Sequence, residues 1–387
     1  MTDHKLCTFP WSMYSIDTGF GWWRSCPRAE YKKLEDFNFF NHEELIDQRK
    51  SLRNNIEHPT CIRCWDAENN SAKSYRQVLK QDKAHKYTPQ DFVKVPEVLE
   101  IKFSNLCNLK CIMCSSNCSS LWETEQPIDP NKLGSFRGNI VSKKILEFSD
   151  RHYKDIKTFQ LFGGEPVLHK EFDQIFDLLL SKPISEGSKI ISFSTNMYYN
   201  DTIRTRFEDK IEAALDRGHQ LFMRFSIDGM YNQGEYVRTG MNWNRFEKNL
   251  DSFMKRFQDR HNLGRMRCNI ALNITNLLYL DKIMQFLAEK NYKNVQPHYN
   301  YVHKPEYFYL KTYGTRLNNA INIIKDQDYA GFESYKTHVL ELTSSMAHLQ
   351  PDLEMIQKGK IWLDKYDISS NKKFLDIFPL NGFMFHD

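Results

Sequence analysis

The sequence predicts an α/β fold built from an array of parallel βα units. Three observations lead there: short apolar strands recur at roughly 30 to 45 residue spacing, amphipathic helical stretches separate them, and the chemically unusual residues follow the strands. The first strand is VLEIKFS from Val98, followed by a cysteine loop and a helix around Asn139 to His152. TFQLF then precedes a helix near 170 to 181, IISFST a helix from about 201 to 216, and LFMRFSI a helix from 243 to 257. RCNIALN precedes a helix from 277 to 289, and a last strand lies near Val295 to His298. Six such units, with right-handed crossovers, form either an open sheet or a partial barrel.

At 387 residues the chain has room for one large domain and a smaller one. Its 41% hydrophobic and 26% charged residues suit a soluble globular protein, and no run approaches the roughly 20 apolar residues of a membrane span. A disordered or membrane-embedded chain is therefore excluded. The formal charge of +4 is small for this length and argues against a nucleic-acid partner. The opening MTDHKLCTFPWSMY lacks the basic-then-apolar pattern of a secretory signal, so a cytoplasmic location is expected. Nine cysteines in a reducing compartment are expected as metal ligands or catalytic groups, not disulfides.

The strongest compositional break is the lysine-rich, polar stretch between about 69 and 96, closed by Pro96, which reads as a helix and linker. The expected organisation is a cysteine-rich module over 1–75, a linker over 76–96, the βα array over 97–304, and a mainly helical extension over 305–387. The aromatic tail of that extension is expected to cover an open edge of the array.

Cys107, Cys111 and Cys114 form a Cys-x3-Cys-x2-Cys group directly after the first strand. Three thiolates leave one iron of a cubic 4Fe-4S cluster open to a small molecule. Zinc sites also use closely spaced cysteines, so context must decide. In βα barrels the active site gathers at the carboxyl ends of the strands. There lie Gly163-Gly164-Glu165-Pro166 after strand two, Thr195 and Asn196 after strand three, and Ser226 to Gly229 after strand four. Asn273 closes strand five, and His298 closes strand six. The paired glycines allow close backbone approach beside a carboxylate, which suits an ammonium group; a bare tight turn is the simpler alternative.

Taken together, the Cys triplet and the GGEP sequence resemble the radical SAM superfamily. The resemblance implies a partial (β/α)6 TIM-like barrel, a 4Fe-4S cluster held by Cys107, Cys111 and Cys114, and S-adenosylmethionine on the open iron. It places the amino group of that cofactor at Gly163, Gly164, Glu165 and Pro166, with Thr195 and Asn196 as the pair after strand three. Ser226 in FSIDG would contact the ribose, and Arg238 in EYVRTG the carboxylate, which a guanidinium fork fits bidentately. It further implies an external electron donor such as flavodoxin or ferredoxin.

Cys7, Cys26, Cys61 and Cys64 supply the number of thiolates that closes a four-ligand site, zinc or cluster. With Pro10, Trp11, Gly19 and Glu68 they resemble the twitch or SPASM-like module of radical SAM relatives, which implies a second, auxiliary 4Fe-4S cluster. Many relatives carry Cys-Cys at the second position, whereas here Cys26 precedes Pro27. Such a cluster would take an electron from a substrate radical or orient the substrate.

Catalytic candidates are Cys118, near enough to the cluster loop to give a hydrogen atom, and Asp228 and Glu235 for proton removal. His298 and Tyr301 are candidates as base, substrate contact or radical neighbour. Cys268, inside strand five, reads as core, as do Trp22 and Trp23 in the small module. The leading reading is a radical enzyme acting on a peptide or amino-acid-like substrate, by oxidative bond formation or epimerisation, with a separate leader-peptide-binding protein as a further partner. The same chemistry on a small metabolite or RNA, a zinc-containing nucleic-acid-binding protein, and a cluster-bearing electron carrier are the alternatives.

Overall fold

In the computed structural model, residues 6–69, 74–77 and 95–385 are described. The strands in chain order are β1 (Met13–Asp17), β2 (Trp22–Arg24), β3 (Lys32–Lys33), β4 (Val98–Lys102), β5 (Lys110–Cys111) and β6 (Thr158–Phe162). They continue with β7 (Ile190–Thr195), β8 (Gln220–Ser226), β9 (Arg238–Thr239), β10 (Met266–Leu272) and β11 (Val295–Tyr301). The six strands read from the sequence are β4, β6, β7, β8, β10 and β11. The helices between them are Asn139–Arg151, Lys170–Ser181, Asp201–Asp216, Trp243–Phe257 and Leu280–Lys290. The expected linker helix falls mostly on residues outside the described set.

Local chemistry explains the helices. Trp243–Phe257 starts where the Asn242 side chain accepts from the Arg245 N–H at 3.1 Å, and it buries Trp243, Phe246, Leu250, Phe253 and Phe257. Lys170–Ser181 carries Glu171 and Asp173 in its first turn, which suits the dipole, and buries Phe172, Ile175, Phe176 and Leu179.

The chain forms two compact units that interleave along the sequence. The first comprises Met1–Leu106, Pro127–Phe193 and Lys210–Leu221; the second comprises Cys107–Gln126, Ser194–Asp209 and Phe222–Asp387. In the first unit β1, β4, β6 and β7 run parallel in that order, and β2 and β3 extend the β1 edge antiparallel. The N-terminal segment thus shares a sheet with the first strand of the βα array, in register from Met13↔Val98 to Asp17↔Lys102. All five residues of β1 are buried, although Ser15 and Asp17 are polar. Their partners come from neighbouring strands: Ser15 donates to Glu100 at 2.6 Å, Arg24 pairs with Glu100 at 2.8 Å, and Lys102 pairs with Asp17 at 2.8 Å. Buried polar groups survive only when so paired.

In the second unit β8, β10 and β11 run parallel, and β5 pairs antiparallel with β9. The region from 305 onward is mainly helical, with Leu317–Asp326, Glu333–Met346 and Leu353–Ser370 as its longer helices. Its aromatic residues pack on the short helix Tyr231–Val237, where the Tyr236 ring lies 5.3 Å from Tyr366 and 5.8 Å from Phe378. Among the described residues no helix is long and apolar enough to cross a membrane.

Candidate functional site

The loop that follows β4 passes from one unit to the other between Leu106 and Cys107, and each half is built differently. In the first unit, Ser104 to Leu106 are strapped to the GGEP turn. Gly164 N donates to Ser104 O and Glu165 N to Leu106 O, both at 2.8 Å. A Cβ at Gly164 would stand 2.5 Å from the carbonyl oxygens of Asn105 and Leu106, and one at Gly163 would stand 3.1 Å from Ser104 O. Gly164 is therefore required by backbone approach rather than by turn geometry, and Gly163 sits in a tight contact. Glu165 is 1% exposed and caps the Pro166–Leu168 turn by accepting from Val167 N at 3.3 Å; Pro166 is buried.

In the second unit, β5 holds Cys111 opposite Arg238 of β9, and Ile112 N donates to Val237 O at 2.9 Å. The loop is pinned by Trp122, whose indole N–H donates to Cys111 O at 2.9 Å, and by Ser119, which donates to Leu109 O at 2.7 Å. Cys114 N donates to Cys111 O at 3.0 Å, closing a turn between the two cysteines. Asn196 donates to Asn108 Oδ1 at 2.8 Å and stands 4.0 Å from Cys107 Sγ, so this residue joins the cysteine loop. Thr195 accepts from Met197 N at 3.1 Å, a local cap.

The electrostatics of this half favour a thiolate. The Cys114 thiol donates to Cys111, which holds Cys111 below the ordinary thiol range against burial, and nearby Arg238 adds to that; the same bond raises Cys114. Arg238 is buried and pairs with Asp228 at 2.5 Å. Burial disfavours its charge, yet Asp228, Cys111 and Cys114 together raise its pKa. Arg238 Nε is buried without a hydrogen-bond partner among the described residues. A ligand oxygen is what such an atom lacks.

Asp228 is fully buried, and its other oxygen accepts from Ala271 N at 2.6 Å. Ser226 ends β8 in register with Asn269. Glu235 accepts from Trp243 N at 2.8 Å and borders a cavity of about 760 Å³ that Asp367, Lys372 and Lys373 also line. His298 does not close its strand: β11 continues to Tyr301, so His298 sits mid-strand opposite Asn269. Pro297 hid this continuation, since proline usually ends a strand reading. Burial, then Arg267 and Arg224, lower the His298 pKa and keep it neutral at pH 7. Tyr301 bonds His338 through its hydroxyl. Cys118 is exposed, and Cys268 is fully buried.

In the first unit, Cys7, Cys26, Cys61 and Cys64 line one cavity with Arg28, Arg63 and Arg76. Cys7 and Cys61 pack against a small core of Trp11, Leu52 and Trp65. Burial pushes the Cys7 thiol to about 12 and Cys61 to about 11, and each feels the charge of other members of the four. N–H groups point at sulfur, with Ala29 N 3.2 Å from Cys26 Sγ and Gln48 Nε2 3.3 Å from Cys61 Sγ. Four thiols with cationic neighbours form a donor set for a thiophilic metal group. Among the described residues no three His, Cys, Asp or Glu side chains form a ready site for a single ion. Trp23 is buried and stacks on His42 at 4.2 Å, whereas Trp22 is half-buried and donates to Lys132 O.

Residues 101–266, from β4 to the start of β10, match the model of the Radical SAM superfamily. The matched stretch covers less than half of the chain. No curated protein matches the chain. Among solved structures, native anSMEcpe with bound AdoMet is 19% identical, with 60% of this chain and 61% of that chain covered and a TM-score of 0.40. The chain thus spans about three fifths of that structure. Streptococcus suis SuiB bound to S-adenosylmethionine is 12% identical, covering 81% of this chain and 66% of that chain with a TM-score of 0.36. SuiB bound to precursor peptide SuiA is 11% identical, with 81% and 67% covered and a TM-score of 0.37.

Asn108, Trp122, Tyr236, Tyr366 and Asp367 were not legible as site residues. Tyr366 is buried beside Cys111, and both raise its pKa, burial more than the thiolate. Its hydroxyl donates to Tyr236 O at 3.2 Å, and Tyr236 donates to Asp367 Oδ1 at 2.6 Å. These bonds tie the helix Leu353–Ser370 to the segment that carries Arg238.

Proposed function

We propose that the protein binds a 4Fe-4S cluster through Cys107, Cys111 and Cys114 and uses S-adenosylmethionine to remove a hydrogen atom from a peptide or amino-acid-like substrate. When bound, the cluster and its cofactor supply a 5′-deoxyadenosyl radical by reductive cleavage. The chain's residues bind and orient. Gly163, Gly164, Glu165 and Pro166 shape the place of the cofactor's amino group, Ser226 that of its ribose, and Arg238 that of its carboxylate, with Thr195 and Asn196 holding the loop. The observation that carries this reading is Arg238: it is buried, paired on one side by Asp228, opposite Cys111 in register, and its Nε has no hydrogen-bond partner among the described residues. Asp228 then acts as the positioning residue of that arginine, through the ion pair it makes with it.

The proposed architecture is a partial (β/α)6 barrel over 97–304, preceded by a twitch-like module over 1–75 and a linker over 76–96, with the extension over 305–387 covering its edge. Cys7, Cys26, Cys61 and Cys64 would hold an auxiliary 4Fe-4S cluster, supported by their shared cavity and the donors aimed at sulfur. It would assist net oxidation or orient the substrate. A cytoplasmic location, an external ferredoxin or flavodoxin donor and a separate leader-peptide binder complete the proposal. The test is anaerobic reconstitution with S-adenosylmethionine and dithionite. Formation of 5′-deoxyadenosine by the parent, and its loss in Cys114→Ala, is expected; a fully reconstituted parent that forms none overturns the reading.

A further inference from the structure

A glycine in the middle of a helix weakens it, and one that stays there makes room for a neighbour. Gly359 is buried midway along Leu353–Ser370, and a Cβ on it would stand 2.9 Å from Tyr307 Cβ. The missing side chain lets the segment that follows β11 lie against the helix, and the two form a groove of about 530 Å³ in the second unit. Half-buried Met355, Tyr307 and Trp362 and the 46% exposed Ile361 give it an apolar lining, with the Tyr307 and Trp362 rings stacked at 5.8 Å. Exposed Lys304, Lys358 and Lys365 border it, against the single carboxylate of Glu306. Lys358 also bonds Glu354 at 2.7 Å, whereas no carboxylate among the described residues pairs with Lys304 or Lys365. Lys358, Ile361 and Lys365, spaced three and four residues apart, share one face of the helix.

This groove adjoins the cysteine loop. The Trp362 ring stacks on Tyr366 at 5.0 Å and lies 6.1 Å from Trp122. Trp122 donates to Cys111 O, and Tyr366 is buried beside Cys111. On either path a single ring stands between the groove and Cys111. Lysines around exposed apolar side chains suit an acidic protein with an apolar centre to its contact patch. A nucleic-acid strand would ask for a longer cationic track, and the formal charge of +4 is small for that.

We propose that this groove is the docking surface for an acidic, low-potential electron carrier, with its acidic side chains on Lys304, Lys358 and Lys365 and its apolar patch on Ile361 and Trp362. The inference rests on the radical reading above, which requires such a donor. The carrier gives up one electron and the cluster at Cys107, Cys111 and Cys114 takes it up; no bond forms or breaks. Docking here brings the donor to the loop that holds Cys111 through the C-terminal extension.

The test is anaerobic isothermal titration calorimetry of the reconstituted protein with two acidic probes, a flavodoxin and a 4Fe-4S ferredoxin. At least one is expected to bind saturably. Lys304→Glu/Lys358→Glu/Lys365→Glu should weaken that binding about tenfold or more, because rim charges select and steer an acidic partner. The neutral triple Lys304→Gln/Lys358→Gln/Lys365→Gln should fall between. Lys143→Glu/Lys255→Glu/Lys325→Glu, with the same change of net charge away from the groove, should lose less than about threefold. Circular dichroism of each variant verifies the fold. Binding of neither carrier by the parent, equal losses in the two glutamate triples, or a groove triple that binds like the parent overturns the proposal. A single-stranded RNA oligonucleotide that binds where neither carrier does, and is lost in the groove triple, makes nucleic acid the occupant and overturns it too. Formation of 5′-deoxyadenosine with dithionite, a small reductant that needs no docking surface, separates the two claims. Cleavage by a parent that binds neither carrier removes the docking surface alone. Carrier binding that the groove triple loses, in a parent that cleaves nothing, removes the radical reading alone.

Discussion

Asp228→Asn isolates the charge that holds Arg238 in place. The side chain keeps its shape, and its oxygen still accepts from Ala271 N, now 2.6 Å from Asp228 Oδ1. What disappears is the ion pair at 2.5 Å between a carboxylate that is 0% exposed and a guanidinium in a residue 8% exposed. With charge centres about 4 Å apart and an effective dielectric constant of about 20, that attraction is about 4 kcal/mol. Removing one partner of a buried pair costs about 3–5 kcal/mol, in agreement. For a unit of about 200 residues each kcal/mol moves Tm by about 2–4 °C, so the second unit should melt about 8–16 °C lower. The assay is anaerobic scanning calorimetry of the reconstituted protein. Adding Arg238→Met to the variant should restore much of the loss, since no unpaired charge then stays buried. A single variant melting within about 2 °C of the parent, or a double variant that simply adds two losses, refutes the reasoning.

Further outcomes follow from other contacts. His42 is buried against Trp23 and Tyr14, and burial, outweighing Asp36, lowers its pKa to about 4. The unfolded chain then binds the extra proton between about pH 6.5 and 4, so this contribution is complete above 6.5 and is lost as pH falls through 4. The loss is about 3 kcal/mol, and thermal melts of His42→Phe across that window should be flatter than the parent's. Tyr236→Phe removes a bond to the Asp367 carboxylate at 2.6 Å and should cost about 1.5–3 kcal/mol by denaturant unfolding of the second unit. Gly164→Ala forces a Cβ to 2.5 Å from two carbonyl oxygens, so S-adenosylmethionine binding measured by calorimetry should disappear while Gly382→Ala, with open space around it and helical backbone, leaves binding intact. Cys61→Ala should lower the reconstituted iron content by about four per chain, whereas loss of zinc alone by elemental analysis would replace the auxiliary cluster with a structural ion.

The six strands of the βα array were legible because each is a short apolar run followed by a helix with a 3.6-residue apolar stripe, as in Lys170–Ser181. β1 was not, because Ser15 and Asp17 read as surface residues until Glu100 and Lys102 from β4 are seen to pair with them. β5 and β9, two residues each, are too short to carry a period, yet they set Cys111 opposite Arg238. The cysteines and GGEP announce themselves by spacing. Tyr366 and Asp367 do not, since their bonds to Tyr236 span 130 and 131 residues and no local pattern encodes such a pairing. Asn196 lies in between: its place after β7 was legible, but its bond to Asn108 arises only from the fold.

Everything proposed for this protein depends on Cys107, Cys111 and Cys114 holding a cluster with one iron open to S-adenosylmethionine. The most direct measurement is the EPR spectrum of the anaerobically reduced protein before and after adding S-adenosylmethionine, alongside a variant with those three cysteines replaced by alanine. A change of the reduced-cluster signal on addition is expected in the parent and none in the variant, which keeps only the signal of the N-terminal site. A parent spectrum indifferent to S-adenosylmethionine, or the same response in the variant, would contradict it.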